Sequence, residues 1–417
     1  MKESRTVEFK SEVTNTFLKT VSAYANFCTG VIEFGILDNG KAKGFEDIEK
    51  VCLDIENKIN DSIKPKPDYC MVINSNNKTI TLHVYEGKYK PYLYKGKAYR
   101  RSDTSTVEVD QLEFKRLTLE GNNMYYEELS SNKKKLEFSY FESKLVEKIG
   151  IKKLTDDMLR TFGFYNDDKK LNIAAELFAD KNSFKGIDVA RFGGSISEIL
   201  DRETYSNCCI LKQFDDIVAM FKRYYQYERI KGFDRELVEL IPEEAFREAI
   251  ANALVHRTWD IDACIKVSMF EDKVVITSPG GLPRGISKDE YLNGNISNLR
   301  NPIIGNVFFR MHYIEMFGTG IQRILEKYEG AFNAPKFEIF ENSISVTLPV
   351  VSVSYNVTTD GELLLETLDT GLQLSSSEIV KKTGWSKDKT IREINVLKEA
   401  GYVKSIGKGR ATRYLKN

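Results

Sequence analysis

The middle of the 417-residue chain carries the stretch Phe246-Arg247-Glu248-Ala249-Ile250-Ala251-Asn252-Ala253-Leu254-Val255-His256-Arg257, whose composition predicts a helix. Within this helix Glu248 and Asn252 are four residues apart, so a carboxylate and a carboxamide share one face. Two glycine clusters follow, Ser278-Pro279-Gly280-Gly281-Leu282-Pro283 and Phe317-Gly318-Thr319-Gly320-Ile321. This order is what a pocket needs if it holds Mg²⁺ from a helix and closes glycine-rich backbone over phosphates.

The chemistry of these residue types supports a nucleotide site. An Asn252 carbonyl can supply one of the hard oxygen ligands that Mg²⁺ prefers, and Glu248 can activate a water for attack on a phosphate. Glycine backbone can bring N–H groups close to phosphates. The predicted nucleotide-binding residues are Asn252, Gly280, Gly281, Gly318, Thr319 and Gly320. The alternative that the residues leave open is a solvated helix face followed by ordinary turns.

The bulk composition places the chain among globular proteins of several domains. Its length predicts two to four domains, and 41% hydrophobic with 29% charged residues is typical of such proteins. Lys+Arg and Asp+Glu are equal at 61 each, so any nucleic-acid contact must come from local patches. The charged N-terminus, the scattered cysteines and the lack of a long apolar run predict a cytoplasmic protein with reduced thiols and no membrane segment.

Residues 1–120 alternate helical and strand-like stretches and predict an α+β module. A helix is expected over 17–27, a buried strand over 31–37, and further strands of the same sheet over 70–73, 79–85 and 98–101. Glu3, Glu8 and Asp38 are candidate carboxylates for a metal-dependent nuclease, with Lys10 to steady a phosphate. A charged edge strand explains the same residues without catalysis.

Three further segments complete the predicted organisation. Residues 121–235 predict a mostly helical bridging region, and residues 236–350 predict the α/β domain of the glycine clusters. After a polar linker, residues 358–417 predict a helix, a helix–turn–helix and a two-stranded wing, with Ser375 and Glu378 as a capping box. No Gly-x-x-x-x-Gly-Lys-[Ser/Thr] sequence occurs, so a P-loop site is not expected.

The C-terminal segment is locally basic. Residues 386–417 contain nine basic and three acidic side chains, a net charge of +6 in a chain that is neutral as a whole. In a winged helix the recognition helix enters the major groove and the wing contacts phosphates or the minor groove. The predicted DNA-binding residues are Lys387, Lys389, Thr390, Arg392, Lys408, Arg410 and Arg413. A winged helix used for protein contacts remains the alternative.

The central motifs, together with Arg300-Asn301-Pro302, resemble the divergent GHKL-type ATPase domain of bacterial proteins that also carry a Schlafen AlbA-like domain. The resemblance implies that Glu248 is the general base or water-orienting group, that Asn252 binds Mg²⁺, and that the glycines shape an ATP pocket. The family's adenine-reading Asp is replaced here by Ser278-Pro279. Nucleotide binding is therefore a firmer expectation than hydrolysis.

The N-terminal residues resemble the Schlafen AlbA-like domain. The resemblance is carried by Glu3-Ser4-x-x-Val7-Glu8-Phe9-Lys10, Ser22-Ala23-Tyr24-Ala25-Asn26, Gly30-Val31-Ile32-Glu33-Phe34-Gly35-Ile36, Asp38-Asn39-Gly40, Gly44 and Tyr99-Arg100-Arg101. In this family some members are nucleases and many bacterial members are regarded as nucleic-acid binders. The resemblance favours binding of DNA, or of RNA, over cleavage.

These features predict a multidomain α+β protein: an AlbA-like module, a GHKL-like α/β sandwich and a C-terminal winged helix. The expected function is a DNA-binding transcriptional regulator that responds to ATP and Mg²⁺, and a homo-oligomer is expected because winged-helix proteins commonly bind paired half-sites. The alternative is a metal-dependent nuclease gated by the ATPase-like domain, with phage defence as a candidate role.

Overall fold

The computed structural model describes residues 2–231, 234–283, 286–294, 298–315, 318–331, 333–351, 358–368, 373–407, 409 and 412–416. Contacts divide the chain into two compact units. The first comprises residues 1–184, 258–262 and 299–307, and the second comprises 185–257, 263–298 and 308–417. Helices and several separate sheets confirm the predicted multidomain α+β class. Among the described residues, no helix is long and apolar enough to cross a membrane.

The first unit begins with a four-stranded sheet covered by helices. Its strands run in the order β1-β2-β5-β4, with β1 and β2 parallel and the other pairs antiparallel. The elements are β1 (Val7–Lys10), α1 (Phe17–Phe27), β2 (Gly30–Phe34), α2 (Ile48–Ser62), β3 (Ile63–Lys64), β4 (Tyr69–Asn74), β5 (Thr79–Val84), β6 (Leu93–Tyr94), β7 (Tyr99–Ser102), β8 (Ser105–Glu108) and α3 (Gln111–Gly121).

Helix α1 forms the centre of this core because its apolar residues recur at helical spacing. Phe17, Val21 and Tyr24 are fully buried and belong to one cluster with the side chains of β2 and β5. A Cβ at Gly30 would lie 2.5 Å from the Tyr24 ring, so the strand after the helix needs glycine there. The expected strand over 98–101 does form, as β7. However, it pairs with β8 in a separate two-stranded sheet, so its placement in the main sheet was wrong.

The part of the first unit that directly follows α3 lies in the segment for which the sequence predicts a mostly helical bridging region. It contains α4 (Ser139–Ile149), α5 (Asp156–Thr161) and α6 (Ile173–Phe178). Phenylalanine rings hold these helices together, with the Phe141 and Phe178 centroids 5.1 Å apart. The Glu127 carboxylate, in a 3₁₀ turn, accepts the backbone N–H groups of Ile303 at 2.6 Å and Ile304 at 3.0 Å.

The second unit is built on a six-stranded sheet in the order β10-β9-β13-β14-β16-β15, in which only β9 and β13 pair in parallel. The elements are β9 (Ile187–Phe192), β10 (Ile199–Tyr205), α7 (Ile210–Tyr225), β11 (Gln226–Lys231), β12 (Asp234–Glu239), α8 (Glu243–Val255), β13 (Ile265–Met269), β14 (Lys273–Pro279), α9 (Lys288–Asn293), α10 (Pro302–Arg310), α11 (Gly320–Glu326), β15 (Lys336–Ile339) and β16 (Ser343–Pro349). Residues 302–307 of α10 belong to the first unit.

Strands β9, β10 and β11, helix α7 and the start of β12 lie in the segment that the sequence assigns to the bridging region. Strands β9 and β10 extend the sheet of the glycine-cluster domain beyond β13 and form one of its edges. Within the region predicted to be mostly helical, α7 ends at Tyr225 and the chain continues as β11. Strand β11 pairs antiparallel with β12, and this pairing overrides the local helical pattern.

The C-terminal segment has the predicted element order. It contains α12 (Thr359–Leu368), α13 (Ser376–Thr383), α14 (Lys387–Glu399), β17 (Val403–Ile406) and β18 (Arg413–Lys416), and the two strands pair antiparallel. Ser375 and Glu378 form the expected capping box at the start of α13. Leu364, Ile379 and Ile394 lie in one buried cluster that draws on all three helices. The predicted linker residues 352–357, and Lys408 and Arg410, lie outside the described residues.

Candidate functional site

The predicted pair on α8 is formed and partly buried. The Asn252 side-chain N–H donates to Glu248 Oε1 at 3.0 Å, one helical turn apart, and Glu248 is only 9% exposed. Helix α8 is held firmly, since the Phe246 ring stacks on Phe221 of α7 with centroids 4.0 Å apart. After its last turn, the buried Arg257 guanidinium donates to the Ala263 carbonyl at 2.6 Å. The pair therefore sits on a helix that is packed against α7 and hydrogen-bonded just beyond its C-terminal end.

Gly320 brings the second glycine cluster directly against this pair. A Cβ at Gly320 would lie 2.6 Å from Glu248 Oε1 and 2.7 Å from Asn252 Nδ2, closer than real Cβ contacts allow. Gly318 has a positive φ of 74°, and Thr319 precedes the first turn of α11. A Cβ at position 320 would thus force the Glu248 and Asn252 side chains to shift, and the backbone conformation at 318 favours glycine. Phe317 lies outside the described residues.

Burial raises the pKa of the Glu248 carboxyl above its ordinary value. The Asn252 hydrogen bond and the Arg323 guanidinium act in the opposite direction, while the nearby Glu315 adds to the rise. A buried carboxylate with a raised pKa is a stronger proton acceptor, which suits a group that activates water.

Arg323 is a site residue that the sequence motifs did not reveal. It lies on α11, three residues after Gly320, and its guanidinium is 3.6 Å from Glu315. The one available signal was its spacing, since residues three apart on a helix lie on the same side. A guanidinium here gives the site a cation that can bind a phosphate group.

The first glycine cluster is anchored by hydrogen bonds and close contacts. Ser278, which stands where the resemblance expects an adenine-reading Asp, is buried, and its hydroxyl donates to the Ala253 carbonyl of α8 at 2.8 Å. Gly280 has φ of 109° and donates its N–H to the Asn342 carbonyl at 2.9 Å. A Cβ at Gly281 would lie 2.2 Å from the Glu341 carbonyl oxygen. These glycines pack tightly on the turn between β15 and β16.

The donor set limits how a metal could be held. Within the described residues, no group of three or more His, Cys, Asp or Glu side chains is placed to hold a metal ion. Asn252 uses its N–H toward Glu248, which leaves its carbonyl oxygen for another partner. Mg²⁺ commonly combines one or two protein ligands with water and substrate phosphates. Asn252 fits that role.

The N-terminal carboxylates lie in three different environments. Glu8 is buried and pairs with Arg101 and Lys10, and it also accepts the Thr20 hydroxyl at 3.0 Å. Glu3 accepts the backbone N–H of Phe9 at 2.9 Å, and Asp38 is exposed in a turn. In the part of the chain that the structure describes, these three residues form no metal-binding group. Glu8 and Glu3 instead hold the N-terminal strand in place.

The predicted DNA-binding residues differ in accessibility. Thr390 is fully buried, and its hydroxyl donates to the Ser386 carbonyl at 3.0 Å, so we assign it to the packing of α14 rather than to base contacts. The Lys389 Nζ lies 2.7 Å from Asp360 Oδ1 and over the face of the Trp385 ring. The side chains of Arg392 and Arg413 are 69% and 43% exposed. Lys387 is exposed at the first position of α14.

Comparison with known proteins gives two family matches on these units. Residues 3–124 match the model described as "Schlafen, AlbA_2", which spans β1 to β8 and α1 to α3. Residues 262–348 match the HATPase-type model described as "Putative ATP-dependent DNA helicase recG C-terminal". This second match includes both glycine clusters and begins after α8. The chain therefore combines a Schlafen AlbA_2 segment with an ATPase-like segment.

Comparison with solved structures gives distant likenesses, one of which covers nearly the whole chain. A structural-genomics target from Corynebacterium diphtheriae aligns over 99% of this chain and 92% of its own length, with 18% sequence identity and a TM-score of 0.48. No curated protein matches the chain.

Proposed function

We propose that this chain is a cytoplasmic, nucleotide-responsive DNA-binding protein that regulates transcription. The observation that carries the proposal is the contact of Gly320 with the Glu248–Asn252 pair. It joins a glycine-rich segment to a buried carboxylate and a carboxamide in one place. The match to an ATPase-like family model over the following strands supports ATP as the nucleotide.

In the proposed site each polar group has a separate role. Asn252 contributes a carbonyl oxygen to Mg²⁺, and Glu248 accepts a proton from water if the nucleotide is hydrolysed. Arg323 meets the phosphates, and the backbone around Gly318 and Gly320 closes over them. The Ser278 hydroxyl donates its hydrogen bond to the Ala253 carbonyl. Toward the base of a nucleotide it can therefore act only as a hydrogen-bond acceptor.

The proposed response is a shift in population. Bound nucleotide would favour the conformations in which the glycine segments are ordered and would thereby change the nucleic-acid affinity of the chain. Binding without turnover is sufficient for such a switch.

The DNA contact is proposed for a winged helix formed by α12 to α14 with β17 and β18. Its support is the net charge of +6 over residues 386–417 together with the exposed side chains of Lys387, Arg392 and Arg413. The AlbA_2 segment is proposed as a second nucleic-acid contact, to DNA or RNA. We further propose a homo-oligomer, because a two-fold assembly presents two such domains to paired half-sites.

Calorimetric titration with ATP and Mg²⁺ tests the nucleotide site in the full chain. Wild type is expected to bind, and Asn252→Ala is expected to weaken binding at least about tenfold, the loss of one charge-assisted contact. Glu244→Gln is the matched control, since Glu244 lies on the exposed side of the same helix and pairs with Lys327. If wild type releases no heat and binds no ATP, the nucleotide proposal fails.

Fluorescence anisotropy with duplex DNA over a range of salt concentrations tests the DNA contact. Arg392→Ala is expected to lower the affinity and to reduce the salt slope by about one, the loss of one phosphate contact. Lys135→Ala, an exposed lysine outside both matched segments, is the control and is expected to behave as wild type. Equal slopes for Arg392→Ala and wild type would remove α14 from the interface.

A further inference from the structure

The hairpin of β11 and β12 presents apolar side chains to solvent. Ile230 is 74% exposed, Leu237 is 59% exposed and Tyr227 is 45% exposed. The two strands pair only with each other, and within the described residues no third strand lies beside either of them. Open edge strands with exposed apolar side chains are the kind that pair with another chain.

The pairing pattern decides which backbone groups of β12 face outward. Tyr225 and Leu240 form the pair next to Gln226 and Glu239, at the open end of the hairpin. In this pair the Leu240 N–H donates to the Tyr225 carbonyl at 2.8 Å. The register of the hairpin continues from this pair, and bonded and non-bonded pairs alternate in an antiparallel ladder. The β12 residues whose N–H and C=O groups point away from β11 are therefore Arg235, Leu237 and Glu239.

These three residues are symmetric about Leu237. If a second identical strand runs antiparallel beside β12, Leu237 lies opposite Leu237 of the second copy, and Arg235 lies opposite Glu239 of the second copy. All three outward residues then find backbone partners, an apolar pair occupies the two-fold axis, and opposite charges flank it on both sides. The edge is complementary to itself in hydrogen bonding, apolar contact and charge.

We propose that β12 pairs with β12 of a second copy of this chain, which joins two hairpins into one four-stranded sheet. This interface rests on the proposed homo-oligomer and identifies the surface through which two copies would associate. It does not depend on nucleotide or DNA binding. A closed two-fold contact of this kind presents the same patch from both copies.

Strand β11 does not have the same property. Its outward residues are Gln226, Glu228 and Ile230, because they alternate with the bonded pairs in the same register. Self-pairing centred on Glu228 would place two carboxylates directly opposite each other, which is destabilising. Charge therefore selects β12, rather than β11, as the edge that accepts a second copy.

Sedimentation velocity of the full chain at increasing concentration tests the interface. One strand pair buries less surface than a standard stable interface, so the wild-type dimer is expected to depend on concentration. Leu237→Lys places two ammonium groups at the axis and is expected to raise the dimer dissociation constant at least about tenfold. Ile230→Lys, a more exposed apolar residue on β11, is the matched control and is expected to leave the dissociation constant unchanged.

Disulfide trapping gives a second readout that does not depend on affinity. Bonded antiparallel pairs hold their Cα atoms about 5.5 Å apart, within the range a disulfide spans. Leu237→Cys is expected to give a covalent dimer under mild oxidation, whereas Ile230→Cys and wild type, which share the native thiols, are not.

The outcomes separate the interface from the oligomer itself. A wild-type dimer that Leu237→Lys leaves intact, with no extra cross-linking by Leu237→Cys, overturns the β12 interface and leaves the homo-oligomer standing. A wild type that remains monomeric throughout, with no cross-linking by Leu237→Cys, overturns both.

Discussion

Replacement of Gly320 by alanine is the most direct perturbation of the candidate nucleotide site. Gly320 begins α11 without a positive φ, so an alanine suits the backbone there. Its methyl group would lie 2.6 Å from Glu248 Oε1, about 0.8 Å short of an ordinary contact, and 2.7 Å from Asn252 Nδ2. Both atoms are the ends of flexible side chains, so the side chains rather than the backbone must move.

Gly320→Ala is expected to weaken nucleotide binding and to leave the stability of the fold nearly unchanged. A glycine-to-alanine change in a helix contributes roughly 0.5–1 kcal/mol, and displaced side chains cost roughly 0.5–1.5 kcal/mol, so the net change in stability is close to zero. A displaced Asn252 carbonyl loses a charge-assisted contact worth roughly 1.5–3 kcal/mol, which corresponds to about 10- to 100-fold weaker nucleotide binding.

Calorimetry with ATP and Mg²⁺, combined with thermal melting, checks this prediction. Gly194→Ala is the control, because the nearest atom to a Cβ there is 3.9 Å away and no positive φ is required. The control is expected to bind nucleotide as wild type does. Unchanged affinity in Gly320→Ala, with a wild-type melting temperature, would refute the argument that Glu248, Asn252 and Gly320 form one site.

Three further predictions concern other parts of the molecule. Burial raises the pKa of Glu127 to about 8 from an ordinary value of 4.5, so its proton stabilises the folded state. The free energy of unfolding should therefore fall as pH rises from about 4.5 to about 8, by at most about 4–5 kcal/mol from this group, and Glu127→Gln should remove that part of the slope in urea titrations. Arg101→Met leaves the buried Glu8 carboxylate with Lys10 and the Thr20 hydroxyl as partners and should cost about 3 kcal/mol, seen as a lower melting temperature, whereas an unchanged melting temperature would contradict the structural role of the Arg101–Glu8 pair. Thr390→Val loses one hydrogen bond, worth about 1 kcal/mol of stability, but should leave DNA affinity unchanged, and a loss of affinity in the folded variant would place Thr390 at the interface.

The spacing of neighbouring residues in the sequence was enough to predict much of the fold and part of the candidate site. The four-residue interval between Glu248 and Asn252 puts them on one face of a helix, and the structure shows them in contact. The same kind of local rule located α1 and the capping box at Ser375. These features depend on residues within one or two turns, which a linear pattern records directly.

Residues distant in sequence were beyond the reach of such patterns. Nothing near Glu8 indicated that Arg101, more than ninety positions away, forms an ion pair with it. Thr390 resembled a DNA-facing residue because helical spacing alone does not say which side of α14 is buried. Strands β9 and β10 belong to the sheet of the ATPase-like segment because β9 pairs with β13. The sequence of a single strand does not predict which strand it pairs with.

The sequence by itself determined the α+β class, the order of segments and the residue types from which a nucleotide pocket could be built, because short-range periodicity and composition encode these. Only the tertiary structure decided that Gly320 closes on Glu248 and Asn252 and that Arg323 accompanies them. It also decided that β12 has a self-complementary edge. Each of these depends on a close approach or a strand register between separate elements, and such contacts arise only when the chain has folded.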